Sequence, residues 1–112
     1  MTTFPAGGPL PVLTPSGQLD EDTLAPLERE IEAAVTRHGG LILDASDITF
    51  SDSVFLQLVV ATHQRARLHI AAPPTAMRRI FSITGADMVL RIHPTLESAL
   101  AACAQSPPLA EA

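Results

Sequence analysis

Apolar residues recur along this chain in two rhythms, and the change from one to the other marks out its elements. In "QLDEDTLAPLEREIEAAVTRHGG" (18–40), Leu24, Leu27, Ile31 and Val35 keep the spacing of a single helical face. Glu28, Arg29 and Glu32 fall on the opposite side, toward water. Acidic residues crowd the start of this segment, where the helix dipole favours them. Asp20, Asp22 or Thr23 can cap it. Pro26 is tolerated only in a first turn, so the helix is expected to begin near Asp22 or Thr23. Gly39-Gly40 ends it.

Short, largely apolar runs alternate with such helices. "LILD" (41–44) and "LHIAAP" (68–73) read as buried strands. "LPVLTPSG" (10–17) has the apolar residues of another strand. Its Pro11 and Pro15 donate no hydrogen bond and keep it from a central place in a ladder. "MVLRI" (88–92) is a further strand, and "ASDITFSDS" (45–53) a loop with Ile48 and Phe50 tucked in. Residues 53–67 predict a second helix, 74–85 a third and 94–105 a last. In the third, Thr75 is the expected cap, Met77, Ile80, Phe81 and Thr84 the inner face, and Gly85 the stop. Alternating strands and helices predict an α/β domain, a sheet with helical crossovers. It should occupy residues 10–104, after an arm or edge strand at 1–9 and before a disordered tail at 105–112.

The second helix carries two apolar stripes. Leu56, Val59, Val60 and His63 are expected to face the sheet. Val54, Phe55, Leu58 and Ala61 form the other stripe, read here as a surface that docks a partner. Just before it, "TFSDSVFLQL" (49–58) sets a Ser-Asp-Ser cluster against the helix start. Asp52 is the expected N-cap, and Ser53 the first-turn residue pointing at solvent.

Composition narrows the functional classes. The 112 residues are 46% hydrophobic and 17% charged, which fits a globular fold. All basic residues are Arg, and the net charge of −5 repels phosphate backbones, so nucleic acid is not an expected partner. Cys103 is the single cysteine, which excludes an internal disulfide and a cysteine metal cluster. No apolar run approaches the roughly 20 residues of a membrane span, and "MTTFPAGGPLP" does not read as a secretory signal. A cytoplasmic protein is expected. His38, His63, His69 and His93 share no metal-binding spacing. His63 reads as a core-edge residue, His69 and His93 as structural or solvated, Cys103 as packing, and Asp44 and Asp47 as solvated. No phosphate loop occurs, and Ser51, Asp52 and Ser53 lack triad partners. No enzyme, cofactor or metal is therefore expected.

The order and spacing of several motifs resemble the STAS domains, the bacterial anti-sigma factor antagonists and their relatives. The carriers are "SGQLD" (16–20), "GLILDASDITFSDS" (40–53), "IAAPPTAMRRIFSITG" (70–85) and "VLRIHPTLESALAA" (89–102). The resemblance spans about residues 10–103 and implies a small mixed sheet with about four helices packed largely on one face. It also implies binding rather than catalysis. The partner would be an anti-sigma factor of kinase-like (GHKL) fold, whose capture releases a sigma factor; whether the domain forms a homodimer stays open. In the family the helix-two start reads Asp-Ser-Ser/Thr-Gly-Leu, and its second hydroxyl residue accepts phosphate. Here Asp52 and Ser53 match, Val54 stands at the acceptor position and Phe55 at the Gly. The nearest hydroxyl is Ser53, with Ser51 and Thr49 beside it. Ser51, Asp52, Ser53, Val54, Phe55, Leu58 and Ala61 are the expected partner-binding residues. Two other family roles fit a chain without the acceptor: a STAS subunit of a lipid-transport ABC system, and a stressosome-like scaffold component.

Overall fold

A computed structural model of the chain describes residues 2–5 and 10–105. In chain order the elements are β1 (Thr2–Pro5), β2 (Pro11–Thr14), β3 (Gly17–Leu19), α1 (Ala25–His38), β4 (Gly40–Asp44) and β5 (Ile48–Ser51). Then come α2 (Ser53–Arg65), β6 (Arg67–Ala71), α3 (Thr75–Thr84), a 3-10 turn (Ala86–Met88), β7 (Arg91–His93) and α4 (Leu96–Gln105). Five strands form one sheet in the order β1-β2-β4-β6-β7. β1 runs antiparallel to β2, and the remaining pairs are parallel. The sheet is mixed, as expected.

Side chains alternate across the sheet, as the pleat requires. Leu13, Leu41, Leu43, Leu68 and Ile70 share the larger core with α1, α2 and α3. Val12, Ile42 and Ala71 point the other way and pack with Ala99 and Cys103 of α4. Three helices therefore lie on one face, and among the described helices α4 covers the other. Cys103 is fully buried there, a packing residue. The same alternation sends Arg67 and His69 of β6 to the α4 face, where both are buried. His69 meets His93 of β7, with Nδ1 to Nε2 at 2.9 Å and the rings stacked.

Several boundaries differ from the sequence reading. α1 starts at Ala25, after the acidic cluster. Asp20 Oδ1 accepts the Asp22 and Thr23 amides, and the Thr23 hydroxyl donates to the Gln18 carbonyl. These side chains close a turn ahead of the helix and are not free to cap it. Pro26 does fall in the first turn. In α3, Pro74 takes the cap position and Thr75 is the first helical residue. Met77 and Phe81 are buried, but Ile80 is 39% exposed and Thr84 lies outside. The run 88–92 is not all strand, since Met88 belongs to the 3-10 turn and β7 begins at Arg91. The loop 45–53 contains β5, which pairs in parallel with β3 as a separate two-stranded sheet. Ile48 is buried there; the Phe50 side chain lies outside the described residues, as do residues 6–9 and the tail 106–112.

The two glycines between α1 and β4 do different work. Gly39 ends the helix in the left-handed region at φ 79°, with its N–H donated to the Val35 carbonyl. Gly40 is needed for space: a Cβ there would lie 2.1 Å from the Arg67 carbonyl oxygen across the β4–β6 pair. The obstacle is backbone at the centre of the sheet, so it cannot rotate away. Gly40→Ala is accordingly expected to cost about 3 kcal/mol, the upper range for overpacking, read as a lower urea midpoint with an unchanged slope.

Candidate functional site

The start of α2 is built by one carboxylate. Asp52 has extended backbone angles, and its Oδ1 accepts the amides of Val54 at 3.0 Å and Phe55 at 3.3 Å. Two helix-start donors are thereby satisfied, and the first turn is held in one orientation. Asp52 is the N-cap that its position in the sequence suggested. Ser53 follows it, exposed.

The orientation of α2 differs from the stripe reading by almost one residue step, roughly 100°. Phe55, Val59 and Thr62 are the buried line, at 1%, 0% and 1% exposure. Val54 and Leu58 flank this line on one side, and Leu56, Val60 and His63 on the other, all half-buried. Ser53, Gln57 and Ala61 face solvent. Phe55 is thus a core residue and is not offered to a partner. The cause is size: its ring is the largest apolar group on the helix and gains most from full burial. Thr62 fits the apolar line because its hydroxyl donates to the Leu58 carbonyl at 2.8 Å. The other expected partner-binding residues remain at or near the surface. Ser53 and Ala61 are exposed, and Ser51, Asp52, Val54 and Leu58 half-buried.

Beside this helix start lies an apolar groove of about 180 Å³ between β5 and the first turns of α3. Ile48 and Met77 form its floor, Thr49 and Ser51 one wall, and Ala76 and Ile80 the other. Ile83, one turn beyond Ile80, is 76% exposed. The sequence reading missed this wall because Ile80 was placed on the inner face. The available signal was the spacing of Ala76, Ile80 and Ile83, a second apolar line beside Met77 and Phe81. Among the described residues no group of three or more His, Cys, Asp or Glu could hold a metal ion. The site is thus a capped helix end with a hydroxyl at its tip, next to an apolar groove.

The comparisons with known proteins agree with this fold. A family model described as the Mlab STAS domain matches residues 4–92, so the chain belongs to the STAS domain family. No curated protein matches it. An anti-sigma factor antagonist from Mycobacterium paratuberculosis is similar in structure, with 31% sequence identity and a TM-score of 0.80. That match covers 91% of this chain and 92% of the other. The anti-sigma factor antagonist SpoIIAA, in its unphosphorylated form, shares the fold at 18% identity and a TM-score of 0.76, over 96% of this chain and 98% of its own. A Thermotoga maritima structure shares it at 16% identity and a TM-score of 0.81, over 91% and 92%.

The burial of Phe55 gives a sharp expectation. Phe55→Asp should lose the folded state, because an unpaired carboxylate has no place in an apolar core. Ser53→Asp should fold like the parent, since a negative charge at a helix start is favoured. Circular dichroism of the two variants separates them; a folded Phe55→Asp protein contradicts the assigned orientation of α2.

Proposed function

We propose that this chain is an anti-sigma factor antagonist that works by binding alone. It captures an anti-sigma factor of kinase-like (GHKL) fold, in the cytoplasm, and so frees a sigma factor. The contact surface is the exposed start of α2 together with the groove beside it: Ser53, Val54, Leu58 and Ala61 on the helix, and Ile80 on the far wall. The observation that carries the reading is the conjunction at this helix tip. The cap geometry presents Ser53 to solvent. The next position, where the family's acceptor hydroxyl belongs, holds the half-buried Val54. The likeness to the Mycobacterium paratuberculosis antagonist over nearly the whole chain supports the same role.

A phosphate at such a tip would add a charge of about −1.5 to −2 inside the contact zone. Without an acceptor at position 54 the complex is not dissolved in this way. Its lifetime is then set by affinity and by the supply of partner. The same feature favours a second reading, a STAS subunit seated on the ATPase of a lipid-transport ABC system, where no phosphoacceptor is needed. Affinity capture from the native cell decides between them. A GHKL-type ATPase supports the antagonist, and an ABC ATPase supports the alternative.

Two expectations follow from the surface. Incubated with ATP and the cognate kinase-type partner, the chain should keep its intact mass. Val54→Ser should then gain one phosphate; Phe55 must be left in place, because removing a core aromatic costs about 3–5 kcal/mol. Near-complete phosphorylation of the parent, mapped to Ser53, Ser51 or Thr49, would overturn this account of the site. Separately, Ile80→Asp should fold normally yet bind its partner at least a hundredfold more weakly, since a desolvated, unpaired charge costs several kcal/mol. Titration calorimetry with the captured partner measures this, and unchanged affinity removes the groove from the interface.

A further inference from the structure

The face of the sheet under α4 holds a polar cluster that the contact surface does not use. His69 is 2% exposed, and its Nδ1 stands 2.9 Å from His93 Nε2. Its other nitrogen, Nε2, is buried with no hydrogen-bond partner among the described residues. The two rings stack at a centroid distance of 5.1 Å. They belong to neighbouring strands, β6 and β7, and α4 packs over both. His93 also ties the strands together through its backbone, where its carbonyl accepts the Ala72 amide.

Among the described residues, no negative charge acts on His69. Arg67 comes from β6, Arg91 from β7 and His63 from α2, and each opposes a proton on His69. One terminal nitrogen of the buried Arg67 is itself without a partner among the described residues. α4 contributes the Cys103 thiol, which burial pushes toward the neutral form, and its one carboxylate, Glu97, is exposed. β4 places apolar Ile42 opposite His69, and its acid, Asp44, accepts hydrogen bonds from Ser46.

Two imidazoles in this arrangement can hold one proton between their facing nitrogens. While one ring stays neutral the shared proton can remain; once both rings are protonated, N–H meets N–H at 2.9 Å, inside a cationic neighbourhood. We propose that the His69–His93 pair is an acid-operated latch: uptake of its second proton parts the rings, loosens β7 and α4, and uncovers the second face of the sheet. The surface exposed would include Val12, Ile42 and Ala71, which face Ala99 and Cys103 in the closed state. Opening is placed on this side because both rings sit on β6 and β7, the strands over which α4 packs.

The pH window follows from burial. Desolvation first, then His93 and the nearby arginines, push His69 down from 6.5 to about 4, and burial also lowers His93. The open state binds more protons than the closed one, so stability from the pair is complete above 6.5. It is lost progressively as pH falls toward about 4. For each excess proton the opening constant changes roughly tenfold per pH unit.

Two NMR measurements on the whole chain test this. Ring resonances should show both histidines titrating below the ordinary range. Amide-exchange protection, corrected for intrinsic rates, should fall roughly tenfold per pH unit between pH 6 and 4 at residues 91–103, while α1 and β2 stay protected. His69→Phe keeps a stacked ring but takes no proton, and should abolish this pH dependence. If that variant does not fold, His93→Gln serves, leaving His69 a hydrogen-bonding partner but one titrating ring, and the dependence should shrink. The latch is overturned if either ring titrates at or above 6.5, if protection at 91–103 falls no faster than in α1 and β2, or if the folded variant keeps the parent's dependence.

Discussion

The close approach of β4 and β6 is the constraint on which the rest of the domain depends. These strands pair over five residues each, from Gly40 opposite Arg67 to Asp44 opposite Ala71. At the first of these pairs there is no room for a Cβ. Because the two strands are parallel, their carboxyl ends lie at the same edge of the sheet. The chain leaves β4 there for β5 and α2, and leaves β6 there for α3. The start of α2 and the first turns of α3 are thus brought side by side, and the groove between β5 and α3 is a consequence of strand direction. Parallel sheets commonly place their binding features at this edge, for the same reason.

The parts legible in the sequence were those with long or pure patterns. β4 is an almost unbroken apolar run, β6 an apolar run interrupted by His69, and the inner face of α1 is regular over three turns. Asp52 was readable as a cap because one acid stood immediately before an apolar period. Features set by distant partners were less legible. β3 has three residues and β5 four, too few to show a period, and they become strands only by pairing with each other. The start of α1 was misplaced because Asp20 and Thr23 bond to a turn instead of to the helix. The rotation of α2 escaped because every side of it except that of Ser53, Gln57, Ala61 and Gln64 carries apolar residues. Its axis had to be decided by which side chain could be fully buried. The meeting of His69 with His93 depends on the β6–β7 register, which nothing local encodes.

On α2 the residues that hold the fold and those of the proposed contact surface are neighbours. Asp52 accepts two amides with one oxygen and so fixes the direction in which Ser53 leaves the surface. Phe55, three positions on, locks the same turn from below. A substitution at either position would alter the presentation of Ser53 and Val54 without touching them. The wall of the groove is less constrained, since Ile80 and Ile83 are not packed on their outer side. Substitutions on the outer side of α3 are therefore expected to cost little stability, while α2 is held by the core.

The division of helices between the two faces has a bearing on how the chain is made. The core shared by α1, α2 and α3 can close once β6 and α3 have emerged. The opposite face, with Val12 and Ile42, is covered among the described helices by α4, which follows every described strand. During synthesis the earliest strands carry an apolar surface that stays open until the last helix arrives. Nascent chains in that state are exposed to association with one another and to capture by chaperones. A chain whose β6 and α3 have emerged but whose α4 has not is a half-covered domain.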